Sequence, residues 1–328
     1  MNTAETETEL GAEIWRETAV RISKRGINRA HALLRQQAIA PFKGRTEAPV
    51  KARGDATHWI DAEMRKSMRV FVEEVTGGKA IYVGEEENVP HNLTHRDILA
   101  RTDELDGTTN CLTLFSAFAI VVFIERVRRQ EESVSHVAGA IAAATGEVTS
   151  WSRDQHGEGK VMIEWPTSFS WGGEDGGQAD VVPAVPFQLE LNKDPDAEPS
   201  PALRPGLPNR IAVNAAHASR RTLLNGAMGK ALAEDAELWV ANHAGNPLVA
   251  PLLGGELSAI YEPKALQLHD AAYLIPLYLA GGKIRSPEGA YVDVLGHFEE
   301  LGSSRTIGPF IAGTSKAAVD RVISALNE

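Results

Sequence analysis

The run FSAFAIVVFI, residues 115–124, limits the folds open to this chain more than any other stretch. It is too short to cross a bilayer as a helix, which takes about 20 residues, and its β-branched content predicts a buried strand. HVAGAIAAATGEVTSWSR follows at 136–153, with a turn at Thr145-Gly146, and the two runs read as paired strands. Around them the periodicity changes repeatedly. Helical spacing runs from about Glu9 to Gln37 and again from about Trp59 to Val75, the second stretch stopped by Thr76-Gly77-Gly78. KAIYV reads as a short strand entering the glutamates 85–87, and a second strand enters DELD. Beyond residue 210 come the strand RIAVNA, the helix SRRTLLNGAMGKAL, the strand AELWVAN, the helix GNPLVAPLLGG and a closing helix in SKAAVDRVISAL. Strands alternating with helices, without internal repeats or heptads, predict a layered α/β fold.

At 328 residues the chain is long enough for one large α/β unit or two fused lobes. Seven of the 17 prolines fall between Gly172 and Arg210, which excludes a helix there and predicts an extended surface excursion. The expected organisation is therefore an N-terminal α/β lobe over 1–170, a proline-rich excursion over 171–210 and a C-terminal α/β lobe over 211–328. A net charge of −11 argues against nucleic-acid polymers and anionic membranes as partners. Cys111 is the one cysteine, so no intrachain disulfide forms. The opening MNTAETETEL has neither a basic nor an apolar segment, and a cytoplasmic location is the expectation.

Acid clusters stand where the predicted strands end, which is where ligands bind in layered α/β proteins. They are GDATHWID with Asp55 and Asp61, GEEEN with Glu85, DELDGTT with Asp103 and Asp106, and HDAA with Asp270. Mg²⁺ takes oxygen ligands, commonly one or two carboxylates together with water and substrate phosphate. Two such ions sharing a carboxylate stabilise both the attacking and the leaving oxygen of a phosphoryl transfer. Gly107 lets the backbone approach a ligand closely, and N–H groups at Thr108 and Thr109 would face an anion. Carboxylates for cations beside donors for phosphate are what metal-dependent hydrolysis of a phosphate ester requires.

GEEEN followed by DELDGTTN, with GDATHWID upstream and HDAAYLIPLYLAGG downstream, resembles the inositol monophosphatase and fructose-1,6-bisphosphatase superfamily of Mg²⁺-dependent, lithium-sensitive sugar phosphatases. The motifs keep the family's order from about Lys51 to Gly282. The resemblance implies a layered α/β/α/β/α sandwich, commonly a homodimer, with two or three Mg²⁺ ions. Glu85, Asp103 and the carbonyl of Leu105 would hold the first ion, and Asp103, Asp106 and Asp270 the second. A third ion would lean on Glu85. Thr108, paired with Asp61, would activate the attacking water, with Glu85 also in the catalytic set. Gly107, Thr108 and Thr109 would hold the phosphate.

Several positions depart from the family pattern. Glu104 takes the place of a proline, Cys111 of an aromatic residue and His269 of a tryptophan. Pro263 stands where inositol phosphatases place their inositol-binding glutamate, whereas Lys264 looks like the sugar-contacting lysine of the fructose bisphosphatases. Pro276 is expected to kink a helix that follows Asp270. His269 reads as a packing or hydrogen-bonding residue, because Mg²⁺ prefers oxygen. Each acid also has a plainer reading, Asp-Gly as a solvated turn and Asp61 or Asp270 as helix-start acids. The ordered set favours a Mg²⁺-dependent phosphomonoesterase of a small phosphorylated sugar or polyol. The alternatives are a 3′-phosphonucleotide phosphatase and a non-catalytic binder of sugar phosphates.

Overall fold

A computed structural model of the chain describes residues 3–39, 59–85, 87–95, 97–108, 111, 118–128, 131–154, 159–166, 187–189, 210–214, 237–241, 245–301 and 305–327. Asp55, Thr109, the helix expected near 219–232 and all of the stretch 171–210 except 187–189 and Arg210 lie outside these residues.

The helices α1 (Thr3–Ile39) and α2 (Trp59–Thr76) come first. Ile60, Met64, Met68 and Val72 recur at helical spacing and form the buried stripe of α2. Gly77 and Gly78, at φ +60° and +74°, end that helix as the sequence predicts.

The strands β1 (Ile81–Val83), β2 (Ile98–Asp106), β3 (Ala119–Arg128), β4 (Ser133–Ala143), β5 (Val148–Arg153), β6 (Gly159–Glu164) and β7 (Phe187–Leu189) then form a sheet in chain order. β1 is parallel to β2, and every later pairing is antiparallel. Ile120, Val122 and Ile124 pack towards α1 and α2, while Ala119, Val121 and Phe123 enter a second core on the opposite face. A strand covered on both sides has no place for alternating polar residues.

The second core is filled from a run of short elements. A 3₁₀ turn (Asn246–Leu248), α3 (Val249–Leu253), α4 (Leu274–Leu279) and α5 (Val294–Glu299) lie between the first sheet and a second one. The second sheet has the order β12-β14-β10-β8-β9, from β8 (Arg210–Asn214), β9 (Glu237–Ala241), β10 (Ala259–Glu262), β12 (Lys283–Arg285) and β14 (Phe310–Gly313). β11 (Leu266–Gln267) and β13 (Thr306–Ile307) make a small separate ladder. α6 (Lys316–Asn327) covers the outer face of the second sheet with Val319, Val322 and Ala325. The layers are therefore helix, sheet, helix, sheet, helix. No described helix is long and apolar enough to cross a membrane.

One buried charge cluster ties the first sheet to the segment before β13. Each oxygen of Glu125 accepts from a different arginine, 3.2 Å from Arg101 Nε and 3.0 Å from Arg305 Nη2. Arg305 also donates to the carbonyls of Phe298 and Glu300. Glu125 is fully buried, and the two guanidinium groups overcome the cost of burial and hold its pKa down at about 2.

Candidate active site

The C-terminal end of β2 carries Asp103 and Asp106, three residues apart. In a regular strand that spacing sends side chains to opposite faces. Here Asp103 lies opposite Val121 and Asp106 opposite Ala119, so β2 spends one residue more than β3 over the same length. This is a β-bulge, and it turns both carboxylates onto the face that carries Val121 and Ala119. Both are almost wholly buried. The Leu105 N–H donates to Asp103 Oδ1 at 3.1 Å, inside the bulge.

Glu85 follows the end of β1, whose parallel pairing with β2 aims both strand ends the same way. Gly84 allows a close approach, since a Cβ there would lie 2.5 Å from Glu104 Oε1 and displace the end of that side chain. Glu104, in the slot of the family's proline, is buried and accepts hydrogen bonds from the Tyr82 hydroxyl and from Thr102 Oγ1. Its Oε1 lies close to the backbone of Gly84, the residue before Glu85. Burial raises its pKa, and those two donors offset part of the rise. Glu87 pairs outward with Arg69, and Glu86 lies outside the described residues.

Asp270 is brought in by the second half of the chain. The Ala271 N–H donates to the Leu268 carbonyl and the Ala272 N–H to that of His269, so the acid sits on a turn rather than in a helix. α4 begins only at Leu274, which puts Pro276 in its first turn. An amide there has no partner within the helix, so the proline costs little and the expected kink does not arise. Asn246, which no sequence motif marks, holds this turn in place. Fully buried, it donates from Nδ2 to the His269 carbonyl at 2.7 Å and accepts from the Tyr273 N–H at 3.0 Å. Against the effect of burial, its side chain also lowers the Asp106 pKa, which places it beside both halves of the site. Glu262, one residue before Pro263, belongs to no sequence motif either. It is buried at the end of β10, with Asn214 Nδ2 donating to it at 2.6 Å.

Thr108 stands just past the strand, after Gly107 turns the chain at φ +87°. Its Oγ1 lies 2.8 Å from Asp61 Oδ1 in the first turn of α2 and 3.0 Å from the Leu105 carbonyl. The Thr108–Asp61 pairing expected from the sequence is thus present as a contact. Thr109 lies outside the described residues, and Lys264 sits on an exposed turn between β10 and β11.

Ligand atoms of Asp103, Asp106 and Asp270 lie within 4.8 Å of one another, as do those of Glu85, Asp103 and His269. Burial, followed by the neighbouring carboxylates, raises the pKa values of Asp103 and Asp106 well above the usual range. Burial alone would disfavour an imidazolium at His269, but Asp270 and Glu85 override it and push its pKa up to about 9. Asp106 Oδ2 is buried without a hydrogen-bond partner. A single imidazolium at His269 faces four carboxylates, Glu85, Asp103, Asp106 and Asp270, and a divalent cation with oxygen ligands would balance the rest. These residues fit such an ion.

No protein-family model matches the chain, and no curated protein matches it by sequence. Solved structures do. The extragenic suppressor protein suhB from Bartonella henselae superposes with a TM-score of 0.58 at 16% identity, covering 95% of this chain and 98% of its own. An IMPase of Thermotoga maritima gives 0.56 at 15%, with 95% and 96% covered. An IMPase/NADP phosphatase in complex with Mg²⁺ and phosphate gives 0.51 at 14%, with 92% and 91% covered. These likenesses show the fold: the chain has the layered α/β architecture of the IMPase structures.

Proposed function

We propose that this chain, built on the inositol monophosphatase fold, is a phosphomonoesterase that works with divalent cations on a small phosphorylated sugar or polyol. The observation that carries the reading is the convergence of Glu85, Asp103, Asp106 and Asp270 beside the Thr108–Asp61 pair. Asp103, Asp106 and Asp270 would hold one ion, and Glu85, Asp103 and the Leu105 carbonyl a second. The ions would supply Lewis-acid stabilisation of the phosphoryl oxygens and acidify a water.

The protein's own groups do the rest. A hydroxyl carries one proton, and the shorter Thr108 contact directs it at Asp61. The remaining lone pairs of Thr108 Oγ1 can then accept a proton from a water, with Asp61 receiving the threonine's own. The bulge orients Asp103 and Asp106, and Asn246 fixes the Asp270 turn. Gly107 leaves room for a phosphate, and Lys264 at the exposed turn would meet the sugar.

Phosphate release from a panel of sugar, polyol and nucleotide monophosphates, assayed with Mg²⁺, tests the reading. Release is expected from the wild type and absent from Asp103→Asn. A fully active Asp103→Asn variant would falsify the assignment.

A further inference from the structure

Oxygen is the natural ligand of Mg²⁺, and the cluster holds one donor that is not oxygen. His269 Nε2 lies 3.2 Å from Glu85 Oε1 and 3.7 Å from Asp270 Oδ1. It belongs with Glu85 and Asp103 to a set of ligand atoms all within 4.8 Å of one another. Two donors bound about 2.1 Å from one ion are about 3.0 Å apart when adjacent and about 4.2 Å apart when opposite. The Glu85–His269 spacing lies inside that range.

The imidazole is also well held. Its side chain is 11% exposed, and its backbone carbonyl is anchored by Asn246 at 2.7 Å. Next to it, Asp106 Oδ2 is buried without a hydrogen-bond partner, and four carboxylates surround the one imidazole.

A nitrogen ligand changes which ion is selected. Imidazole suits Zn²⁺, Fe²⁺ and similar transition metals, whereas carboxylate and carbonyl sets suit Mg²⁺ and Ca²⁺, with Mn²⁺ accepting both. The Asp103, Asp106 and Asp270 set is all oxygen, while Glu85, Asp103 and His269 mix oxygen with nitrogen. Asp103 is common to both. We infer that Glu85, Asp103 and His269 form a transition-metal site, joined through Asp103 to an all-oxygen site for Mg²⁺. This rests on the two-cation reading above and makes the pair of ions unlike. The competing arrangement keeps a proton on His269 as an imidazolium paired with Glu85, and it takes no metal through nitrogen.

The purified full-length protein, stripped of metal and reloaded with one equivalent of Mn²⁺, decides between them. Pulsed electron paramagnetic resonance is expected to show coupling of Mn²⁺ to an imidazole ¹⁴N, absent in His269→Gln. This measurement on the wild type does not depend on any variant folding. Calorimetric titrations of wild type and His269→Gln with Mn²⁺ and Mg²⁺ separately give the selectivity. Mn²⁺ should weaken at least as much as the roughly tenfold that loss of an outer-shell partner costs, with Mg²⁺ affinity unchanged. Mn²⁺ bound to wild type without nitrogen coupling overturns the His269 assignment and leaves the phosphatase reading standing. So do affinities for both ions that rise together, as removal of a resident positive charge would produce, or fall together. Failure of the wild type to bind either ion overturns both readings.

Discussion

Thr108 offers one proton to two acceptors, and most of the proposed chemistry turns on where that proton goes. Thr108→Val keeps the shape of the side chain and removes the hydroxyl. It is expected to lower kcat roughly 10²–10⁴-fold, the usual range for a lost acid–base partner, with KM and cation affinity nearly unchanged. Steady-state kinetics beside a Mg²⁺ titration check this, and a rise in KM at constant kcat would instead make Thr108 a substrate-binding residue. Glu104 shows the same dependence on immediate neighbours. As a letter in the sequence it only adds charge to a crowded cluster. In the fold its carboxylate accepts from Tyr82 and Thr102 and packs against the backbone of Gly84.

The site depends on three local devices: the bulge in β2, the turn at Gly107 and the turn that carries Asp270. At φ +87° Gly107 occupies backbone space that other residues enter at a cost of about 1–2 kcal/mol. Gly107→Ala should lose about that much stability in a denaturant titration and weaken Mg²⁺ binding as well, because the turn sets where Asp106 ends and Thr108 begins. Loss of stability with intact cation affinity would separate the turn from the site. These devices also mark how far the sequence could be read. The strand pairs, the glycine stop of α2 and the acid clusters follow from periodicity and residue chemistry. The bulge does not, since an extra residue on one strand shows only against its partner. The effect of Pro276 is hidden for a similar reason: it depends on where α4 starts, and the 3₁₀-like turn at 268–272 delays that start. Asn246 lies more than twenty residues from Asp270, and only the tertiary fold brings them together.

At the scale of the whole molecule, the interior between the two sheets carries ionisable groups as well as apolar ones. His136 is buried there, stacked on Trp151 at 5.9 Å and edge-on to Phe123, and neither ring nitrogen has a hydrogen-bond partner. Burial pushes its pKa down to about 4; Glu125 works against that, and Arg305, Arg153 and Arg101 add to it. The folded state therefore binds this proton less well than the unfolded chain does. Its contribution to stability is complete above an unfolded pKa of about 6.5 and is lost as pH falls through 4. Over that window the loss amounts to about 3 kcal/mol. His136→Phe should flatten the stability profile between those pH values, measured by denaturant midpoints, and an unchanged slope would assign the acid sensitivity elsewhere. The same two-halved construction bears on how the protein comes into being. Glu85, Asp103 and Asp106 are synthesised early, whereas His269 and Asp270 leave the ribosome much later and join them only once the second sheet has docked. On the proposed reading a nascent chain would hold an incomplete ligand set, and capture of a cation would be a signature of finished folding rather than a step along the way.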